Sequence, residues 1–242
     1  MQVPCVMTIA GSDSGGGAGI EADLKTFSFL GVFGTCVITA ITAQNTRGVY
    51  EVFPLPPRIV KRQIEVILED IDVRAVKTGM LYSKEIMGVV SEAIGKYNLK
   101  AVVDPVFQAG SGEALIKEGD LEAFIHLIVP QALVLTPNTP EAELISGMEI
   151  RSLEDMEEAA RRISSLGAKT VVIKGGHLEG KKVYDLLYSE GMSRIFEKSR
   201  IDVKLHGGGC VFSSAVAGYI ALENDVVSAV EKAETLIQEG IE

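Results

Sequence analysis

The chain has 242 residues, 47% of them hydrophobic and 23% charged, enough to bury a core and ordinary for a soluble globular protein. Its 23 Lys and Arg against 33 Asp and Glu leave a formal net charge of −10, which argues against nucleic acid or an anionic membrane as the main partner, since both demand a basic face. Cys5, Cys36 and Cys210 show no C-x-x-C spacing, so neither a disulfide scaffold nor structural zinc is expected. The first residues lack a basic segment and no apolar run approaches the roughly 18 residues of a membrane span. A cytoplasmic protein is expected.

Short β-branched runs alternate with longer amphipathic stretches, the pattern of a mostly parallel sheet covered by helices. Residues Val6–Ala10 read as a strand that breaks into Gly11-Ser-Asp-Ser-Gly-Gly-Gly-Ala-Gly19, and Ile20–Leu30 as a helix with Ile20, Leu24, Phe27 and Leu30 on one face. Strands are predicted at Thr35–Ala40 and Val49–Phe53, a helix over Arg58–Asp70, and a strand at Val73–Lys77. Ser83 reads as the N-cap of a helix to about Tyr97. The pattern continues with a strand at Ala101–Asp104, a helix at Asp120–Leu127, a strand at Leu133–Thr136 and a short helix at Pro140–Ser146. Ser152, with Asp155 three residues on, opens a helix to about Leu166. A strand at Thr170–Lys174, a hairpin of Val183–Ser189 and Ser193–Glu197, and helices from Cys210 to Leu222 and from Val226 onward complete the reading. No repeat or linker divides it, so one domain over residues 1–242 is expected.

The most informative stretch is Leu205-His206-Gly207-Gly208-Gly209-Cys210 and the apolar helix after it. A glycine run lets backbone N–H groups approach a ligand closely, and the helix start adds unpaired N–H groups and the positive end of a dipole. A thiol at Cys210, in the first turn, is expected to shift from about 8.5 toward 3.5–7.5. The same window also reads as a glycine-rich turn with a buried thiol. Gly17-Ala18-Gly19-Ile20-Glu21-Ala22 satisfies G-x-G-x-x-A, but no acid lies between Leu24 and Tyr50 to hold a ribose, and no G-x-x-x-x-G-K-[ST] is present.

Polar groups recur where strands end, which is where open α/β sheets place ligands. They are Thr42–Thr46, Lys77–Leu81, Asp104–Val106, Thr136–Glu141 and Lys174–His177. Asp104 and Glu141 are hard-oxygen partners suited to Mg²⁺, and Gln44 offers a donor and an acceptor to a heterocycle edge. His126, His177 and His206 show no ligand spacing, and His126 is taken as structural.

Taken in order, these segments resemble the hydroxymethylpyrimidine/phosphomethylpyrimidine kinases of thiamine biosynthesis, within the ribokinase-like superfamily, over nearly the whole chain. The resemblance implies an α/β three-layer sandwich, a mostly parallel central sheet with helices on both faces. It implies two ATP- and Mg²⁺-dependent phosphorylations, of 4-amino-5-hydroxymethyl-2-methylpyrimidine and then of its monophosphate. It places Gly11, Asp23, Gln44, Met80 and the backbone of Val106 in the pyrimidine pocket. Cys210 becomes the base and Gly207, Gly208 and Gly209 the anion hole. Asn138 and Lys174 fall on the nucleotide side, with Asp104 and Glu141 toward the metal. A homodimer is expected.

Two departures stand out. The family's G-T-G-C-T is Gly207-Gly208-Gly209-Cys210-Val211 here, and in the loop after Asp104 the chain has Phe107 for Met and Gly110 for Lys. Two alternatives follow: a pyridoxal or pyridoxine kinase, and a non-catalytic pyrimidine sensor with a degenerate anion hole.

Overall fold

The computed structural model describes residues 3–176, 180, 182–200 and 207–241. Nine strands form one sheet in the order β3-β2-β1-β4-β5-β6-β7-β8-β9. They are β1 (Cys5–Asp13), β2 (Phe33–Asn45), β3 (Gly48–Pro54), β4 (Val73–Thr78), β5 (Ala101–Val103), β6 (Ala132–Leu135), β7 (Thr170–Lys174), β8 (Lys182–Ser189) and β9 (Met192–Ser199). The strands from β2 to β7 in that order run parallel, and β3, β8 and β9 join antiparallel at the edges.

Helices α1 (Gly19–Phe29), α7 (Gly208–Ala221) and α8 (Val226–Ile241) cover one face, and Val6, Val102, Val134 and Val172 point their side chains to them. Helices α2 (Pro57–Asp70), α3 (Lys84–Tyr97), α5 (Thr139–Ser146) and α6 (Leu153–Ser165) cover the other, against Met7, Ile9, Val103, Val171 and Ile173. Residues of opposite parity in β1, β5 and β7 thus enter different cores, as a pleated strand buried on both sides requires. The three-layer expectation holds. None of the described helices is long and apolar enough to cross a membrane.

Three elements differ from the sequence reading. β2 runs on to Asn45, because antiparallel pairing with β3 from Ala40↔Pro54 to Asn45↔Gly48 satisfies its backbone well past the helical layers. Thr42 and Gln44 are therefore strand residues. In place of a regular helix at Asp120–Leu127, one turn (α4, Leu121–Ala123) widens into a π turn at Phe124–Ile128 and tightens at Val129–Gln131. Pro130 cannot donate a helical hydrogen bond, and the widened turn buries Phe124, Ile128 and Val129 together. Finally, α7 begins at Gly208, two residues earlier than expected, with Gly207 in a left-handed conformation at its N-cap (φ 83°).

Candidate active site

The C-terminal ends of β1, β4, β5, β6 and β7 open into one cavity of about 830 Å³. Twelve of the thirteen residues singled out from the sequence are on its wall: Gly11, Gln44, Met80, Val106, Asp104, Asn138, Glu141, Lys174, Gly207, Gly208, Gly209 and Cys210. Asp23 is not. His177 and His206 lie outside the described residues, and His126 is a surface residue paired with Glu122 (3.4 Å), so it has no place in the core.

Two glycine segments from opposite ends of the chain meet here. A Cβ on Gly207 would lie 1.9 Å from the Gly17 carbonyl oxygen, and one on Gly19 (φ 58°) would lie 2.4 Å from that of Gly11. Only glycine permits this backbone-to-backbone contact. The first segment does not act as a nucleotide loop: the Asp13 carboxylate accepts the N–H groups of Gly15 (2.7 Å), Gly17 (3.1 Å) and Ala18 (2.8 Å), and Glu21 accepts that of Asp13 (2.8 Å). Its donors are spent on its own shape. In the second segment Val211 is the first residue whose N–H finds a helical carbonyl (Gly207, 3.0 Å), so the amides before it have none within the helix. The hydroxyls absent at Gly208 and Val211 do not alter that backbone.

Two ion pairs flank this turn, one half-buried at the cavity wall and one fully buried. Lys174 Nζ lies 3.2 Å from Asp104 Oδ1. A Cβ on Gly209 would sit 3.2 Å from that same nitrogen, so the lysine rests against the helix start. Lys77 Nζ lies 2.8 and 3.0 Å from the two oxygens of Asp23, both side chains fully buried. Consecutive serines of α7 complete the two pairs: Ser213 donates to Asp104 (3.2 Å) and Ser214 to Asp23 (2.7 Å). Burial opposes the charge of Asp104, yet Lys174 and Lys77 hold its carboxyl below the usual range. Burial likewise opposes Lys174 and Lys77, and the facing carboxylates raise both.

The thiol behaves otherwise than expected. Burial pushes Cys210 up to about 11, against the charge of Lys77, and Asp104 and Asp23 push the same way as burial. A helix start and one lysine do not offset the loss of solvent around the sulfur. In the ligand-free cavity Cys210 is a neutral thiol.

On the opposite wall, Met80 packs over Gly11, where a Cβ would be 3.0 Å from its sulfur, and Thr39 fixes the Met80 backbone through a 2.6 Å bond to its carbonyl. Ser14 clamps the Gln44 backbone, donating to its carbonyl (2.8 Å) and accepting from its N–H (2.9 Å). The Gln44 Oε1 accepts from Thr42 (3.2 Å), and its NH₂ has no partner among the described residues. Asp23, by contrast, is fully buried behind this wall, and Thr8 (2.5 Å), Ser214 and Lys77 occupy its oxygens. The polar network around Lys77 holds Asp23 away from the cavity.

Glu141 closes a capping box at the start of α5, accepting from Asn138 N–H (2.8 Å) while Asn138 accepts from Glu141 N–H (2.9 Å). Burial pushes its carboxyl up to about 8; Lys174 pulls it down and Asp104 pushes it further up. No cluster of three or more metal-binding side chains occurs among the described residues. Two buried carboxylates with hard oxygens fit a Mg²⁺ that arrives with water and phosphate ligands, and not one held in an all-protein cage.

Sequence reasoning singled out the Lys77–Leu81 stretch without giving Lys77 a role, and it missed Ser213 and Ser214. Lys77 was legible as a cation directly after the apolar pair Ala75-Val76 in a central strand, a position that demands a buried partner. The serines carry no local signal within a small-residue helix. Phe107 turns into the core and packs edge-on against Phe124 (4.9 Å), while Gly110 lines the cavity mouth.

An amide-rich helix start at the ends of parallel strands, flanked by lysine–carboxylate pairs and facing a heterocycle-sized wall, defines a small-molecule kinase of the ribokinase-like fold. The chain belongs to the phosphomethylpyrimidine kinase family, whose model matches residues 13–242. The hydroxymethylpyrimidine/phosphomethylpyrimidine kinase of Aquifex aeolicus is 44% identical over 237 residues, covering 97% of this chain and 93% of that one. The crystal structure of phosphomethylpyrimidine kinase from Clostridium difficile 630 is 44% identical with a TM-score of 0.89, covering 100% of both chains. The pyridoxal kinase of Staphylococcus aureus in complex with AMP-PCP and pyridoxal is 36% identical with a TM-score of 0.91, covering 100% of this chain and 88% of that one.

Proposed function

We propose that this kinase transfers the γ-phosphoryl group of ATP first to the hydroxymethyl oxygen of 4-amino-5-hydroxymethyl-2-methylpyrimidine and then to the resulting monophosphate, as a cytoplasmic homodimer. The observation that carries this reading is the single cavity in which Gln44 and Met80 face the Gly207–Cys210 turn. Gln44 reads the aminopyrimidine edge with its free NH₂ and Met80 packs on the ring. The alcohol oxygen attacks the γ-phosphorus, the bond to the β–γ bridging oxygen breaks, and ADP leaves. Lys174 and the amides of Gly208, Gly209 and Cys210 hold the charge that gathers on the phosphoryl oxygens. Mg²⁺, when bound near Asp104 and Glu141, supplies further charge neutralisation on the phosphates.

The alcohol's proton goes to Cys210 once that thiol has ionised. A thiol at about 11 accepts nothing at pH 7, so the loaded cavity has to lower it and kcat climbs with pH. The test is a coupled ADP-release assay with the alcohol, the monophosphate and pyridoxal as acceptors, on the wild type and Cys210→Ala. Turnover of both pyrimidines, lost for the most part in Cys210→Ala while pyrimidine binding is kept, is expected. Preferential turnover of pyridoxal, the reading favoured by the fold match to the Staphylococcus aureus enzyme, overturns the substrate. Near-normal turnover in Cys210→Ala overturns the base.

A further inference from the structure

Three cations line the cavity: Lys77, Lys174 and Arg47. The first two are already committed to Asp23 and Asp104. Arg47 has no ion-pair partner among the described residues and is exposed at the mouth, three residues from Gln44. Its turn has a defined shape. The Arg47 N–H donates to Asn45 Oδ1 (2.8 Å). Next to it, Gly48 is buried, and a Cβ there would lie 2.8 Å from Oε1 of Glu113, which belongs to the loop forming the facing wall. The turn thus lies close against the seam between the two walls.

The two acceptors of the proposed reaction differ in charge. The alcohol is neutral, whereas a phosphate monoester carries about −1.5 to −2 near pH 7. A chain with a net charge of −10 repels that anion on approach. A guanidinium with no internal carboxylate to satisfy is the group suited to bind it, because its planar fork matches phosphate oxygens two at a time.

Resting on the function proposed above, we infer that Arg47 is the specificity residue for the phosphorylated acceptor. It engages the monophosphate of the second step and makes no equivalent contact with the alcohol of the first.

The experiment is calorimetric titration of the alcohol and the monophosphate, without nucleotide, into wild type, Arg47→Ala and Arg47→Lys at two salt concentrations. The expected result is a wild-type preference for the monophosphate that falls about tenfold or more in Arg47→Ala, is partly kept in Arg47→Lys, and weakens with salt. A wild type without that preference, or one that survives Arg47→Ala, overturns the inference while leaving the kinase reading intact. A wild type that binds neither pyrimidine overturns the kinase reading, and the inference with it. Thermal unfolding of each variant excludes global damage, since Arg47 is exposed and its backbone contact does not need the side chain.

Discussion

Replacing Gly209 with alanine should separate stability from activity. The residue is helical and not in a positive-φ conformation, so alanine fits the backbone and restricts the unfolded chain, a gain of up to about 0.5–1 kcal/mol. The new Cβ lies 3.2 Å from Lys174 Nζ and 3.9 Å from Asp104 Oδ2. That is tight by a few tenths of an ångström. The flexible end of Lys174 yields, away from its 3.2 Å contact with Asp104. The methyl also occupies the space in front of the first-turn amides, where the transferred group has to sit. Displacement of a charge-stabilising group at this place costs on the order of 10² in rate. Thermal unfolding of Gly209→Ala should show an unchanged Tm or a rise of about 1–4 °C, while a coupled assay shows kcat/KM down about 10²-fold. Activity within about threefold of wild type refutes the placement of Lys174 against the anion site, as does a fall in Tm large enough to explain the loss.

Lys77→Met leaves the Asp23 carboxylate buried without its cation and should destabilise the protein by about 3–5 kcal/mol in urea unfolding, whereas Lys77→Met with Asp23→Asn should recover much of that; equal losses in the two would show that the pair is not a coupled unit. Glu141 titrates near 8 when folded against an ordinary 4.5, so the folded state keeps a proton that the unfolded chain releases, and the group's contribution falls as pH rises from about 4.5 to 8. Urea midpoints across that range should decline less steeply in Glu141→Gln, and parallel declines would remove Glu141 as the source. Gln44→Leu should weaken pyrimidine binding by about 1–3 kcal/mol through the unpaired ring edge, with unchanged affinity by calorimetry counting against its role.

Much of this protein is written locally. Period-two runs with both faces apolar fix the parallel strands, and the cap signals at Ser83 and Ser152 start α3 and α6 where the structure starts them. The positions of Gly11, Gln44, Met80, Asp104, Lys174 and Gly207–Cys210 at strand ends and a helix start place them around one cavity, because every parallel strand in such a sheet points its C-terminal end the same way. Such features depend on each residue's neighbours in sequence.

Others depend on what packs against a residue from far along the chain. Asp23 looks like a ligand-facing acid until β4 brings Lys77 and α7 brings Ser214 to it, from 54 and 191 residues away. Cys210 looks like a thiolate because a helix start is visible in the sequence, whereas the depth of its burial is not. Propensity, periodicity and capping act over a few residues, so the chain announces them. Desolvation and the pairing of buried charges are set by the whole fold, and only the tertiary structure decided which of these polar groups faces the cavity and in what ionisation state.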